Sequence, residues 1–193
     1  MKLLIRSCAF LLVFASVATV CGSAQAVGTP MLSQAATPAK PLQSPNAMAE
    51  VTLDGAKISI HYNSPAMRGR VIMGGLVPYG QIWRTGANPA TSFVTTGGLT
   101  IGTLKVPAGQ YTLYTLPAAP DKPWLLVISK QTGQWGTVYN EKMDLGRTPM
   151  QHDKLPAPQE SMTIGFEKTT KNTTELHIKW EKADESVKIF ATK

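Results

Sequence analysis

The part of this chain that can build a fold has no cysteine. The sequence of 193 residues contains two, Cys8 and Cys21, and both lie within residues 1–26, which have the composition of a leader rather than of a domain. Residues 27–193 can therefore form no disulfide, and they offer no thiol nucleophile and no thiolate ligand for a metal. We expect a packed hydrophobic core to hold this part of the chain together.

The first 26 residues are typical of a secretory signal peptide. Lys2 and Arg6 form a short positive region, and the apolar run Cys8–Val20 that follows is too short for a bilayer span, which needs about 20 residues. Ala24-Gln25-Ala26 places small residues at the two positions that signal peptidase reads. We predict cleavage there, export to the periplasm or out of the cell, and no membrane span in the mature protein; a leader retained as an anchor is the alternative.

The chain also lacks a dense run of basic residues. The formal net charge is +7; without Lys2 and Arg6 the 19 basic residues fall to 17, which against 12 acidic residues leaves +5. A modest excess spread along the chain gives solubility and a weak attraction to anionic surfaces, whereas nucleic-acid-binding arms concentrate Lys and Arg. Nucleic acid is therefore not an expected partner.

No stretch of a dozen residues keeps a helical period, which excludes a helical core. Residues 56–62 alternate apolar and polar side chains after Asp54-Gly55, a pair that favours a two-residue hairpin turn. We predict an all-β fold, an antiparallel β-sandwich of jelly-roll-like or related topology, as a single domain over residues 49–193. Residues 27–48 are rich in Pro, Ala, Ser and Thr and have no aromatic side chain, so they predict a flexible tether.

Alternation is clearest near the C terminus, in residues 162–166, 176–180 and 187–189, which are predicted to be strands. The segment Arg147–His152 is predicted to be another strand, and the prolines of Leu155-Pro156-Ala157-Pro158 are expected to end it.

Histidine is scarce, and familiar catalytic motifs are absent from the sequence. His61, His152 and His177 lie far apart and share no metal-ligand spacing. The chain has no Gly-x-Ser-x-Gly elbow, no His-Glu-x-x-His pair and no phosphate-binding loop. His61 and His177 fall on the polar faces of their strands, which favours exposed imidazoles. We therefore assign no catalytic residue, no metal ligand and no cofactor.

Polar and aromatic residues concentrate instead in the glycine-rich segment Gly74–Asn88. Aromatic rings can stack on a ligand, and a guanidinium can bind a carboxylate or phosphate with two hydrogen bonds. The same side chains could instead serve the architecture, with Trp83 as a core anchor and Arg84 bonded to buried carbonyls. The candidate binding residues in this segment are Tyr79, Trp83, Arg84, Thr85 and Asn88.

A second candidate cluster contains Trp135, Asp144 and Arg147, in and around an irregular segment. Trp135 could equally cover one end of the core. Arg68 and Arg70 flank a glycine in a predicted loop and could add an anion-binding edge, although solvated charge is the more common role for such residues.

Several of these strings resemble the exported bacterial proteins of domain-of-unknown-function family 2911. They are Gly74-Gly75-Leu-Val-Pro-Tyr-Gly80, Trp83-Arg84-Thr85-Gly86-Ala87-Asn88, Leu104-Lys-Val-Pro-Ala-Gly109-Gln-Tyr111 and Gln134-Trp135-Gly136. The resemblance runs from about Ser44 to Ile189 and implies an extracytoplasmic, β-rich domain with no assigned reaction. Where relatives commonly read Ala-Asn-Glu, this chain has Ala87-Asn88-Pro89, so an acid-base mechanism based on that glutamate is not expected here.

Three functions follow as hypotheses. The leading one is a non-catalytic extracytoplasmic module that binds a small polar or anionic ligand or a glycan. A second is a hydrolase or lyase acting on cell-envelope material, with Asp144 and one histidine as acid-base partners. It requires a histidine or second carboxylate within hydrogen-bond reach of Asp144 or in contact with Arg84. A third is a structural adaptor in an envelope assembly, which a large apolar surface patch away from Gly74–Asn88 would favour.

Overall fold

The computed structural model describes residues 43–120 and 122–192, and they form an all-β sandwich. Two antiparallel sheets, one of six strands and one of four, enclose a common hydrophobic core. The predicted fold class is therefore confirmed. The predicted signal peptide and residues 27–42 of the predicted tether lie outside the described residues. Within the described ranges, no helix has the length and apolar character that a membrane crossing requires.

The strands, in chain order, are β1 Asn46–Leu53, β2 Ala56–Asn63, β3 Thr91–Thr95, β4 Leu99–Ile101, β5 Leu104–Val106, β6 Gly109–Leu116, β7 Leu125–Ser129, β8 Asp144–Pro149, β9 Gln151–Glu167 and β10 Thr173–Ala191. The larger sheet has the order β1-β2-β3-β6-β7-β8, and the smaller sheet has the order β5-β4-β10-β9. A single turn of 3-10 helix, Glu141–Met143, precedes β8.

The first hairpin forms where the sequence predicts it. Leu53 pairs with Ala56 across Asp54 and Gly55, whose φ angles are 45° and 87°. Two consecutive positive φ angles define the type I′ turn, whose twist matches that of the flanking strands. The strand before the turn begins at Asn46, earlier than predicted, and takes in the last three residues assigned to the tether.

The smaller sheet differs from the sequence prediction in two strands. β9 continues through Pro156 and Pro158, which were expected to end it. An edge strand tolerates proline because one side of its backbone has no partner that needs an N–H donor, and β9 is at the edge of its sheet. β10 joins two predicted strands into one of 19 residues, with register shifts on either side of Glu181, where φ is 52°.

Three tryptophans tie the loop before β3 to the core. The ring of Trp83 stacks on Trp180 of β10, with centroids 5.8 Å apart and planes inclined by 20°, and meets Trp124 edge-on at 6.2 Å. Trp83 also exchanges two backbone hydrogen bonds with Thr115 of β6, at 2.8 and 2.9 Å. One backbone bridge and the ring contacts thus hold this segment to the core.

The turn between β4 and β5 contacts the opposite sheet at Gly102. A Cβ at this position would lie 2.2 Å from Oγ1 of Thr148 in β8, and φ is 54°. The next backbone N–H, that of Thr103, donates to the same oxygen at 3.0 Å. Glycine is therefore required here both by the backbone conformation and by the close approach of the two sheets.

We predict that Gly102→Ala destabilises the protein by about 2–4 kcal/mol, because overpacking against Thr148 adds to the cost of a positive φ. Gly55→Ala is the matched control, since Gly55 also has a positive φ in a hairpin turn but a methyl group added there would meet no atom within 4 Å. That control should lose only about 1–2 kcal/mol. Urea unfolding of both variants measures the difference, and equal losses would contradict the contact.

Candidate functional site

One cavity of about 280 Å³ combines cationic and aromatic side chains. It lies where the loop between β2 and β3 meets β10 and the first described residues of the chain. None of the described residues that line it is Asp or Glu. We call it the arginine cavity; its wall includes Arg68, Arg70, Arg84, Trp83, Asn88 and Trp180.

Two of the arginines, at the exposed rim, are held by backbone carbonyls rather than by carboxylates. Arg70 donates from Nε to the carbonyl of Met67 at 3.0 Å and from Nη2 to that of Ala66 at 2.7 Å. The Arg68 guanidinium donates to the carbonyl of Gln43. Neutral carbonyls thus orient both guanidinium groups. One carboxylate lies close by, because Oε1 of Glu160 accepts from the backbone N–H of Arg68 at 2.8 Å. No ion pair of Arg68, Arg70 or Arg84 occurs among the described residues.

Arg84 is the half-buried cation of the cavity. Its Nε is buried and has no hydrogen-bond partner among the described atoms. Burial lowers the pKa of Arg84 below its usual value, because the charged form loses hydration without gaining a counter-ion. Because Nε is closed to solvent, an anion in the cavity would meet the guanidinium at its terminal nitrogens, which can donate to a carboxylate or phosphate.

Gly136 sets the position of the Arg84 side chain. A Cβ on Gly136 would lie 2.0 Å from Cδ of Arg84 and 2.8 Å from the carbonyl oxygen of Asn88. The Gly136 N–H donates to that same carbonyl at 3.2 Å. The loop after β7 therefore packs directly on Arg84, and only glycine leaves room for the aliphatic part of the arginine.

The backbone of the cavity loop is strained at specific residues. Arg68, Thr85 and Asn88 have φ angles of 50°, 52° and 61°, in the left-handed region that non-glycine residues rarely adopt. Thr85 is branched at Cβ and fully buried, and its hydroxyl lies 3.1 Å from that of Thr115. The hydroxyl of Thr91 donates to the Thr85 carbonyl at 2.8 Å. These bonds hold an unfavourable conformation that presents the neighbours of Thr85 to the cavity.

The structure brings three of the eight sequence-predicted site residues, Trp83, Arg84 and Asn88, into the arginine cavity. Thr85 supports the loop from the core and does not line it. Tyr79 lines a different cavity, of about 270 Å³, together with His152. Trp135 is 55% exposed and pairs with Pro89 at the border of the site without lining it.

Asp144 and Arg147, the remaining two predicted residues, form a separate cluster with Tyr139. The Tyr139 hydroxyl donates to Asp144 Oδ2 at 2.7 Å, and Arg147 contacts the same oxygen from Nε at 3.1 Å and Nη2 at 3.0 Å. Burial raises the pKa of Tyr139 to about 12, and the bond to Asp144 acts in the same direction. Arg147 also pairs with Glu141 at 2.6 Å, and Oδ1 of Asp144 is buried without a partner among the described atoms. The cluster does not line the arginine cavity, and it supports the loop before β8.

Sequence reasoning does not select three residues that matter for the cavity. Arg68 and Arg70 suggest an anion-binding edge but fall outside the predicted site residues, because loop arginines are usually solvated. The alternation of its strand predicts Trp180 as a core residue, and its ring is indeed 1% exposed, yet it also forms the cavity wall. No local signal in the sequence links Trp180 to Trp83.

None of the three histidines lines the arginine cavity. His61 is exposed, as predicted. The prediction for His177 is wrong: it is 6% exposed, because Asp184, 2.7 Å from its Nδ1, and neighbouring charged side chains cover it on the outer face of the sheet. His152 lies with Nδ1 2.5 Å from Oε1 of Glu185, which points into the core and is 0% exposed.

In structural terms this protein is a β-sandwich with a basic, aromatic cavity. A strained loop carries the three arginines of that cavity, next to the stack of Trp83 on Trp180. The chain belongs to the family described as "Protein of unknown function (DUF2911)", whose model matches residues 44–189. The family resemblance of the sequence is thereby confirmed. Neither the curated proteins nor the solved structures contain a match to the chain.

The buried carboxyl of Glu185 predicts a specific pH dependence of stability. Burial raises its pKa, and the bond to His152 opposes that rise only in part. Since the folded state then holds the proton more tightly than the unfolded chain, the contribution of Glu185 to stability falls as the pH rises above its ordinary pKa of about 4.5. We therefore expect Glu185→Gln to remove this loss of stability. Between acidic and neutral pH, the urea concentration at the midpoint of unfolding should fall less in the variant than in the wild type.

Glu50→Gln is the control for this measurement. Glu50 is exposed, and its hydrogen bond to Lys57 lowers its pKa, so its removal should not flatten the decline. An unchanged pH slope in the Glu185→Gln protein would contradict the raised pKa of Glu185.

Proposed function

We propose that this protein is a non-catalytic binding module for a small anionic ligand, which the arginine cavity holds between Arg84 and the rim residues Arg68 and Arg70. The observation that carries the proposal is Arg84 itself. A half-buried guanidinium without a counter-ion is unfavourable in the free protein, and an anion in the cavity that Arg84 lines would offset part of the lost hydration.

The apolar part of the cavity lining supports an organic anion over a bare inorganic one. Leu76, Ala87 and the small exposed parts of Trp83 (9%) and Trp180 (1%) line the cavity beside the three arginines. A compact ligand with a short carbon skeleton and an acidic group would use both parts of this lining. The volume of about 280 Å³ is near the lower limit for small-molecule sites and suits a compact ligand.

The signal-peptide pattern of residues 1–26 supports the further proposal that binding occurs outside the cytoplasm, in the periplasm or after secretion. The ligand would then be an anionic molecule present in that compartment, a glycan with acidic groups included.

The two alternative functions have less support in the geometry. The hydrolase or lyase hypothesis requires a histidine or a second carboxylate at Asp144 or at Arg84. The side chain of Asp144 bonds to Tyr139 and Arg147, and a second carboxylate, that of Glu141, pairs with Arg147. No histidine is among these partners.

The adaptor hypothesis requires a large apolar patch. The exposed large hydrophobic side chains of the described residues lie in four places: Met48 in β1, the turn with Val71 and Leu76, the segment with Trp135, Val138 and Met143, and Phe190 in β10.

Glucuronate and glucose form a ligand pair that tests the proposal, because they share a ring and differ in the carboxylate. We expect glucuronate to raise the melting temperature of the wild type in proportion to its occupancy, and glucose to raise it much less. Arg84→Gln should weaken anion binding about tenfold or more, since it removes a charge-assisted hydrogen bond. Isothermal titration calorimetry measures both affinities, with citrate and phosphate as further anions.

Lys130→Gln serves as the control, because it removes one exposed positive charge away from the cavity and changes the net charge equally. It should bind like the wild type. If no anion of the series binds, or if both substitutions weaken binding equally, the proposed function is wrong.

A second prediction concerns Gly136, which does not itself line the cavity. Gly136→Ala should displace the Arg84 side chain, because the new methyl group would overlap Cδ of Arg84. We expect a loss of anion affinity about as large as that of Arg84→Gln, measured by the same titration. Gly133→Ala in the same loop meets no atom within 4 Å and should keep the affinity, although its φ of 77° costs some stability. Unchanged affinity in Gly136→Ala would show that the position of Arg84 does not matter for binding.

A further inference from the structure

The rim of the arginine cavity displays two apolar side chains on a rigid turn. Val71 is 69% exposed and Leu76 is 48% exposed, and Leu76 also lines the cavity. The Leu76 N–H donates to the Val71 carbonyl at 3.2 Å, which brings the two residues together although four others separate them in sequence. They therefore form one apolar pair beside Arg70, which we call the rim pair.

The turn that carries the rim pair is anchored from inside. Ile72 and Val77 are completely buried, and the Val77 N–H donates to the Ile72 carbonyl at 2.9 Å. A Cβ on Gly75 would lie 2.5 Å from the Val71 carbonyl oxygen, so the turn closes as tightly as glycine allows. Because its neighbours are fixed in the core, the rim pair cannot turn inward to escape water.

The rim pair and the arginines together match a ligand with two chemically different parts. The cavity offers positive charge and no acidic side chain among its described lining residues, while the rim beside it offers hydrocarbon. A soluble anion would use the first part alone. A membrane lipid with an anionic phosphate headgroup would use both, with the phosphate on the arginines and the first methylene groups on Val71 and Leu76.

The overall charge agrees with this arrangement. Without the predicted leader the chain carries a formal net charge of +5 (17 basic against 12 acidic residues), which attracts it to a surface of anionic lipids, where each nearby basic residue adds to the attraction. Attraction of that kind is diffuse, however, and it does not select a headgroup. The arginine cavity and the rim pair add a specific contact at one place on the surface.

We infer that the anionic ligand of the arginine cavity is the phosphate headgroup of a lipid in a bilayer, with the rim pair seated among its acyl chains. This inference rests on the proposed function, because it names the ligand class of the same site. It requires that the protein binds phosphatidylglycerol in vesicles more tightly than free glycerol phosphate, since the free headgroup lacks the hydrocarbon.

The test measures co-sedimentation of the purified protein without the predicted leader, residues 27–193, with two kinds of vesicle, phosphatidylcholine alone and phosphatidylcholine containing phosphatidylglycerol. Titration calorimetry with free glycerol phosphate is the third arm. The wild type should bind the anionic vesicles and should not bind the neutral ones. The double variant Val71→Ser with Leu76→Ser should lose about tenfold in vesicle binding. Val71→Ser alone, at a residue that does not line the cavity, should also weaken vesicle binding and should keep the wild-type affinity for glycerol phosphate. Arg84→Gln should weaken both.

A matched control removes two exposed apolar side chains elsewhere, by combining Met48→Ser with Phe190→Ser. That protein should bind both vesicles and glycerol phosphate like the wild type, and circular dichroism checks that all variants are folded. Equal vesicle binding by the rim-pair variant and this control would overturn the inference. So would vesicle binding that Arg84→Gln and Lys130→Gln weaken equally, since diffuse charge would then account for it.

The same measurements distinguish a failure of the lipid inference from a failure of the proposed function. If the protein binds glycerol phosphate or glucuronate but no vesicle, the lipid inference is wrong and the binding of small soluble anions stands. If it binds no anion in either form, both are wrong.

Discussion

The stack of Trp83 on Trp180 is the contact on which the candidate site depends. Trp83 belongs to an irregular segment that makes one backbone bridge to the larger sheet, whereas Trp180 belongs to the longest strand of the smaller sheet. Ring stacking between them fixes a loop that backbone pairing alone would leave loosely held. Arg84 follows directly in the chain, so the position of a core ring determines where a cation is placed.

Arg84 is half-buried, and none of the described residues that line its cavity is Asp or Glu. A carboxylate beside Arg84 would neutralise its charge, and position 89, which follows Asn88, is a proline. Pro89 instead pairs with Trp135, which brings Gly136 against the arginine. The unfavourable desolvation of Arg84 and the positive φ angles of Thr85 and Asn88 are therefore tolerated because core packing over-determines the loop.

How far the sequence predicts this molecule depends on the range of the interactions involved. Strand alternation and the Asp54-Gly55 turn are local, and both are predicted correctly. The passage of β9 through Pro156 is not, since it depends on the position of that strand at a sheet edge. The concentration of polar and aromatic residues in Gly74–Asn88 points to Arg84, but contacts across the fold separate Asp144 from it and bring Trp180 to it. Such contacts have no local sequence signal.

The same packing that positions Arg84 also limits what the cavity can do by itself. Because Thr85, Ile72 and Val77 are all buried, the loop has little freedom to fold over a ligand or to turn its charges away from one. A rigid cavity of this kind gives selectivity through complementarity, and binding loses little free energy to ordering of the protein. Its free state keeps three like charges together, so stability and occupancy are linked: whatever anion fills the cavity removes a repulsion that the fold otherwise has to bear.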